Sequence, residues 1–214
     1  MTTDVVAEHF EDIHKQRHAA RFGMWVFLVS EVLLFAGFFV LYWAGRSHYP
    51  ESFEEGVGHN NIAIGTINTG ILLTSSFFVA LAVALQREGR KTWTALCLWT
   101  AAALGLVFLV LKGIEYWQHI AEGAVPGGGT RFYEDKPPAL PLFFTLYFVT
   151  TGAHALHVII GMITLIAIGA MAWRGKLQPP RDHVVEIGGL YWHLVDVIWI
   201  FLWPMFYLIR EVAP

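Results

Sequence analysis

His193 and Asp196 lie three residues apart inside the apolar run GGLYWHLVDVIWIFLW, which ends at Trp203. On a helix that spacing puts an imidazole and a carboxylate on one face, where the carboxylate can orient the ring. Either group in hydrocarbon is costly, so both must face protein, water or each other. A second stretch, TGAHALHVIIG, places His154, His157 and Gly161 on one helix face, with Thr150 and Thr164 extending the stripe. Two histidines at that spacing could contribute to a metal site. A di-iron bundle takes Glu-x-x-His from two helices and further Glu residues, and a haem takes an axial His facing the porphyrin. Only His154, His157 and His193 stand deep in apolar runs, which favours hydrogen-bonded structural histidines over ligands.

Two carboxylates and a lysine complete the set. Glu31 falls about nine residues into its apolar segment, roughly 13 Å deep at about 1.5 Å per residue. Two readings stay open for it: a protonated carboxyl bonded to a neighbour, or a proton or lipid-headgroup site. In LVLKGIEYWQHI, Lys112 and Glu115 form an i,i+3 pair, and Glu115 and His119 an i,i+4 pair. They fall near the external interface. That favours a snorkelling Lys with a neighbouring carboxylate over a metal cluster.

The elements that must hold these residues are membrane helices. The 214-residue chain is 56% hydrophobic and 14% charged, with nine Trp and sixteen Phe. That composition excludes an ordinary water-soluble domain and predicts an all-α polytopic bundle with aromatic belts. Five segments reach the roughly 20-residue length of a span. They cover residues 22–44, 62–85, 93–117, 140–173 and 186–209, after a polar tail over residues 1–21. That tail has no apolar centre, so no cleavable signal is expected. Gly23, Ser30 and Gly37 recur every seven residues, a signal for close helix packing. The weakly polar groups Asn68-Thr69-Gly70 and Thr74-Ser75-Ser76 fit interhelical hydrogen bonding, and Pro204 should kink the last turns. The stretch Gln118–Ala139, with Pro126-Gly127-Gly128-Gly129 and Pro137-Pro138, reads as an irregular, exposed loop.

Charge sets the expected orientation. Lys15, Arg17, Arg21, Arg87, Arg90, Lys91, Arg174, Lys176 and Arg181 fall on one side and make up nine of the fourteen Lys and Arg residues. Arg46, Arg131, Lys136 and Arg210 fall on the other side with most of the loop acids. The positive-inside rule puts the amino terminus in the cytoplasm and the carboxyl terminus outside. A net charge of -3 gives no reason to expect a nucleic-acid partner. The single cysteine, Cys97, excludes an intrachain disulfide, a copper centre bridged by two thiolates and a Cys-ligated iron–sulfur cluster in this chain alone.

Five segments in order, GMWVFLVSEVLLFAGFF, NTGILLTSS, LKGIEYW, TGAHALHVIIG and YWHLVDVIWIFLW, resemble the last five helices of the cytochrome c oxidase subunit III family. The resemblance covers nearly all of the chain after the tail. TGAHALHVIIG and YWHLVDVIWIFLW are its specific motifs. Glu31 falls on the family's membrane-embedded carboxylate, and His154, His157, His193 and Asp196 on its motif positions. The long form has seven helices. Its first two have no counterpart here, and with them goes one wall of the family's lipid cleft.

The resemblance implies a non-catalytic core subunit of a bacterial haem–copper oxidase in the cytoplasmic membrane. Such a subunit holds no haem or copper of its own, since both lie in partner subunits. It packs against subunit I beside subunit II, supports proton uptake there and protects against turnover-linked inactivation. Phospholipid is its candidate ligand, and a respiratory supercomplex a candidate wider assembly. A quinol oxidase or a nitric-oxide-reductase-associated complex would suit the same resemblance. A stand-alone metal-dependent enzyme such as a desaturase would need histidine-rich boxes near the cytoplasmic face, and a transporter would show inverted repeats and broken helices. The sequence shows neither.

Overall fold

The computed structural model describes residues 13–177 and 183–209. Residues 1–12 of the expected tail, and the charges Arg181 and Arg210, lie outside the described residues. Six α-helices follow in order: α1 (Ile13–His48), α2 (Pro50–His59), α3 (Ile62–Arg87), α4 (Lys91–Glu122), α5 (Leu140–Trp173) and α6 (Val184–Trp203). A π-helical turn, Pro204–Leu208, continues α6. No strand forms among the described residues. α1, α3, α4, α5 and α6 with its final turn are long and apolar enough to cross a membrane, so the chain is a multi-pass helical membrane protein.

Helix ends follow local chemistry. α1 starts well before Phe22, because HKQRHAAR contains no breaker and can extend the helix into water. Asn61 caps α3, its Oδ1 accepting from the N–H groups of Ala63 and Ile64. Gly89, at φ +73, turns the chain from α3 into α4. α4 runs five residues past the expected 117, as far as Glu122, and stops at Gly123, which is left-handed at φ +90.

α2 lies in a stretch read from the sequence only as external loop. Pro50 presets its first turn and Glu51 faces its positive end. Phe53, Gly56 and Val57 are its buried face. At ten residues it cannot span, and it packs across the end of α1 and the start of α5 instead. Gly45 and Gly56 allow this approach, since a Cβ at either would meet the ring of Phe53 or Phe143 within 2.5 Å.

The long loop is irregular as expected, with exposed residues such as Pro126 and Glu134 beside partly buried ones such as Phe132 and Tyr133. Three glycines in the left-handed region, Gly127, Gly128 and Gly129, make it irregular. Its backbone is nonetheless tied down. The Thr130 hydroxyl donates to the Gly123 carbonyl at 2.6 Å, the Tyr133 hydroxyl to Val125 at 2.6 Å, and the Gly127 N–H to the Thr145 hydroxyl at 3.0 Å.

α3, α4, α5 and α6 close a four-helix ring through α3–α4, α4–α5, α5–α6 and α6–α3 contacts, and α1 packs outside it against α5 and α6. Trp192 fills the centre of the ring. Its indole lies where a Cβ on Gly105 of α4 would come within 2.8 Å and one on Gly161 of α5 within 2.6 Å. Its N–H donates to the Ser75 hydroxyl at 3.1 Å, which donates in turn to the Ala101 carbonyl at 2.9 Å. Thr69 likewise accepts from the Trp199 N–H at 3.0 Å. The small polar residues of α3 thus give indole N–H groups their partners in a medium without water. The Gly23, Ser30 and Gly37 stripe is exposed, and no side chain of the bundle packs on either glycine.

This packing predicts a contrast. Gly161→Ala should destabilise the bundle by about 1–3 kcal/mol, because the methyl group meets a buried ring that cannot move aside. Gly37→Ala, in open space on α1, should be neutral or stabilising by up to about 1 kcal/mol. Unfolding midpoints in detergent measure both, and equal effects would contradict the account.

Candidate functional site

The buried ionisable residues form two separate clusters. The first joins α1 to α5. Glu31 Oε2 and His157 Nε2 are 2.7 Å apart, and both side chains are largely buried. The other ring nitrogen, Nδ1, lies 2.7 Å from the Ala153 carbonyl. A carbonyl only accepts, so Nδ1 must carry a proton. One further proton then lies between Nε2 and the carboxyl. Whichever side holds it, the pair has no net charge, so a carboxylate and an imidazole can both sit in the membrane here. Phe35 packs edge-on against the ring at 5.3 Å, and the Tyr191 hydroxyl donates to the His157 carbonyl at 3.2 Å. α1 also meets α6 through Arg21 and Glu186, 3.0 Å apart near the start of both helices and open to solvent.

The second cluster joins α4, α5 and the π turn. The Lys112 ammonium donates to Glu115 Oε2 at 3.1 Å and to the hydroxyls of Tyr147 and Tyr207, both at 2.8 Å. Each tyrosine then donates to Glu115 Oε1, Tyr147 at 2.9 Å and Tyr207 at 2.6 Å. All three ammonium donors are used and the carboxylate accepts three bonds. The ammonium also lies 4.7 Å from the centre of the Tyr147 ring. The snorkelling reading of Lys112 is therefore incorrect. The side chain is 5% exposed and turns inward, because Tyr147 and Tyr207 offer it acceptors inside the bundle.

The other candidates separate. His154 does not share the His157 environment. It is fully buried among Phe35, Phe108 and Trp199, and neither ring nitrogen has a hydrogen-bond partner among the described residues. Asp196 does not orient His193. The His193 Nδ1 bonds instead to the Ser76 hydroxyl of α3 at 2.5 Å. The buried Asp196 carboxylate makes no well-formed hydrogen bond among the described residues, although the Ser76 hydroxyl is close enough to interact with it. Nor does His119 bond to Glu115, whose oxygens are taken by Lys112 and the tyrosines. Its ring is packed among Phe144, Tyr147 and Phe148.

Tyr147 and Tyr207 escaped the sequence reading, whereas Ser76 bonds between helices as expected. For Tyr147 the available signal was its position within the span. Tyrosines that serve an aromatic belt sit at helix ends, whereas Tyr147 falls two turns inside α5. Outside the spans, Lys136 donates to Glu55, tying the long loop to α2, and His59 Nε2 lies 3.2 Å from the same carboxylate. The bond from Lys136 holds the Glu55 carboxyl below its ordinary value. This contact is thus fully present at neutral pH and is lost as pH falls through that lowered value.

Fold and clusters together define a multi-pass helical membrane protein whose buried charges are largely neutralised inside the bundle. The chain belongs to the cytochrome c oxidase subunit III family, whose profile matches residues 2–136 and 139–210. A cytochrome c oxidase subunit 3 of Thermostichus vulcanus is 32% identical over 197 residues, covering 88% of this chain and 87% of that protein. A cytochrome bo(3) ubiquinol oxidase subunit 3 of Pseudomonas aeruginosa is 28% identical over 218 residues, 97% of this chain and 98% of that protein. A heme-copper oxidase subunit I+III of Aeropyrum pernix is 29% identical over 196 residues, 88% of this chain and 22% of that protein. Family membership makes the chain part of a haem–copper oxidase complex in which other subunits carry the catalytic role.

The Lys112 cluster predicts non-additivity. Lys112→Met or Glu115→Leu alone leaves a buried charge unpaired and should cost about 3–5 kcal/mol. The double variant should cost less than either single one, because it removes both charges. Detergent unfolding midpoints decide this, and simple addition of the two losses would contradict the ion-pair reading.

Proposed function

We propose that the chain is the non-catalytic subunit III of a terminal cytochrome c oxidase, which reduces oxygen to water and pumps protons in aerobic respiration. It lies in the bacterial cytoplasmic membrane with its amino terminus inside and its carboxyl terminus outside, as the loop charges favour. It packs against subunit I beside subunit II, stabilises the catalytic subunit and supports its proton uptake. Haem and copper belong to those partners, and phospholipid is this chain's own ligand. The natural fusion of subunits I and III in the Aeropyrum pernix relative supports the contact with subunit I.

The observation that carries the proton-support reading is the Glu31–His157 pair. It is electrically neutral, holds one transferable proton and lies at the seam between α1 and the ring, at the edge of the bundle. A group there can tune the hydration and proton supply of a neighbouring subunit without taking part in electron transfer.

A second reading, subunit III of a quinol oxidase, is favoured by the Pseudomonas aeruginosa relative, which matches this chain over nearly the full length of both. The purified complex separates the two. A partner with a two-cysteine copper domain selects cytochrome c as donor, and one lacking it selects quinol.

Glu31→Gln tests the role of the pair. An amide N–H can donate to His157 Nε2 as a protonated carboxyl would, but cannot ionise. Assembly and haem spectra should be intact, with at most a modest loss of turnover or pumping. Glu31→Ala leaves His157 without its partner and should promote loss of the subunit. Complete loss of oxygen reduction by an assembled Glu31→Gln complex would make Glu31 an essential catalytic group and overturn this reading.

A further inference from the structure

The π turn Pro204–Leu208 is tied to several distant parts of the molecule. Pro204 has no N–H, and the turn closes with the Ile209 N–H donating to the Pro204 carbonyl at 3.1 Å. Two carbonyls of the turn are captured from outside the helix. Met205 accepts from the Tyr42 hydroxyl of α1 at 2.5 Å, and Phe206 from the Asn60 amide, between α2 and α3, at 2.9 Å. Gly65 of α3 makes room for the rings of Trp203 and Tyr207, either of which a Cβ there would meet at 2.9 Å. Phe206 packs edge-on against Tyr42, Phe143 and Tyr147. Tyr207 reaches the Lys112–Glu115 pair, accepting from one and donating to the other.

All of these partners precede the turn in the chain. α4 and α5 bring Lys112, Glu115 and Tyr147 together, and that set is one acceptor short for the ammonium and one donor short for the carboxylate. In hydrocarbon no water fills those places. We propose that the π turn is a clasp: insertion of Tyr207 completes the partner set of the buried Lys112–Glu115 pair and so locks α4, α5 and the turn together only when the turn is in place. The charge pair creates the demand and the π turn meets it. Tyr42 and Asn60 hold the turn at the depth this requires. The clasp does not depend on which electron donor the oxidase uses.

The distinguishing property is conditional. Tyr207 should matter because Lys112 and Glu115 are charged, beyond what its ring contributes by packing. The test is a cycle in the full-length chain, read by its thermal unfolding midpoint in detergent and by its accumulation in the membrane. Tyr207→Phe keeps the ring and removes the hydroxyl. In the natural background it should lower the midpoint by roughly 5 °C or more, as loss of hydrogen bonds to charged groups does in a chain of this size. In a Lys112→Met, Glu115→Leu background it should shift the midpoint by no more than about 1 °C. If Tyr207→Phe prevents accumulation in the natural background, accumulation in the charge-free background supports the clasp. Equal shifts in both backgrounds, equal failure in both, or no shift in the natural background would overturn it.

Discussion

A charge buried in a lipid-embedded bundle has no water to fall back on, so each must find its partners within the protein. Lys112 states this constraint most sharply. Its ammonium has three donors, and three side chains from α4, α5 and the terminal π turn meet them. Coulomb attraction to Glu115 alone would not offset desolvation of both ions. The two tyrosines convert the pair into a closed network in which each hydroxyl accepts from the cation and donates to the anion. Three elements distant in sequence are thereby held together. Trp192, Trp199 and His193 obey the same rule with smaller dipoles, each finding a hydroxyl on α3.

α1 stands apart from that closed ring. Little of it is buried in the chain, and its polar attachments to the other helices include Arg21 near its start, Glu31 and Tyr42. The middle attachment is the neutral Glu31–His157 pair. A helix held by so few contacts can be stable in the membrane and still yield to a neighbouring subunit. That fits an accessory role in which the chain's chemistry is spent on holding and adjusting structure, while electron transfer proceeds elsewhere in the complex.

Much of this was legible in the sequence because membrane spans are written in long apolar runs. All five spans and the packing role of the polar groups on α3 follow from length and composition. The side to which each polar residue turns does not. His154 and His157 are three residues apart, yet about 60° around the helix axis separates them. That angle suffices to put one among aromatic rings inside and the other at the α1 seam. Lys112 was misread because a long stem near an interface can reach either way, and only the position of Tyr147 and Tyr207 decides it. α2 was missed because ten residues with three glutamates carry no spanning signal, although Pro50 and the Phe53–Val57 spacing mark a short helix with one buried face.

The central claim is that the buried polar groups of this subunit are structural and proton-sharing, and that none of them binds a redox centre. Separation of the chain from its purified complex, followed by metal analysis and visible spectroscopy of both fractions, tests it most directly. The account predicts that haem and copper stay with the remaining subunits and that the separated chain is colourless. A Soret band, or a transition metal in stoichiometric amount, in the separated chain would contradict it.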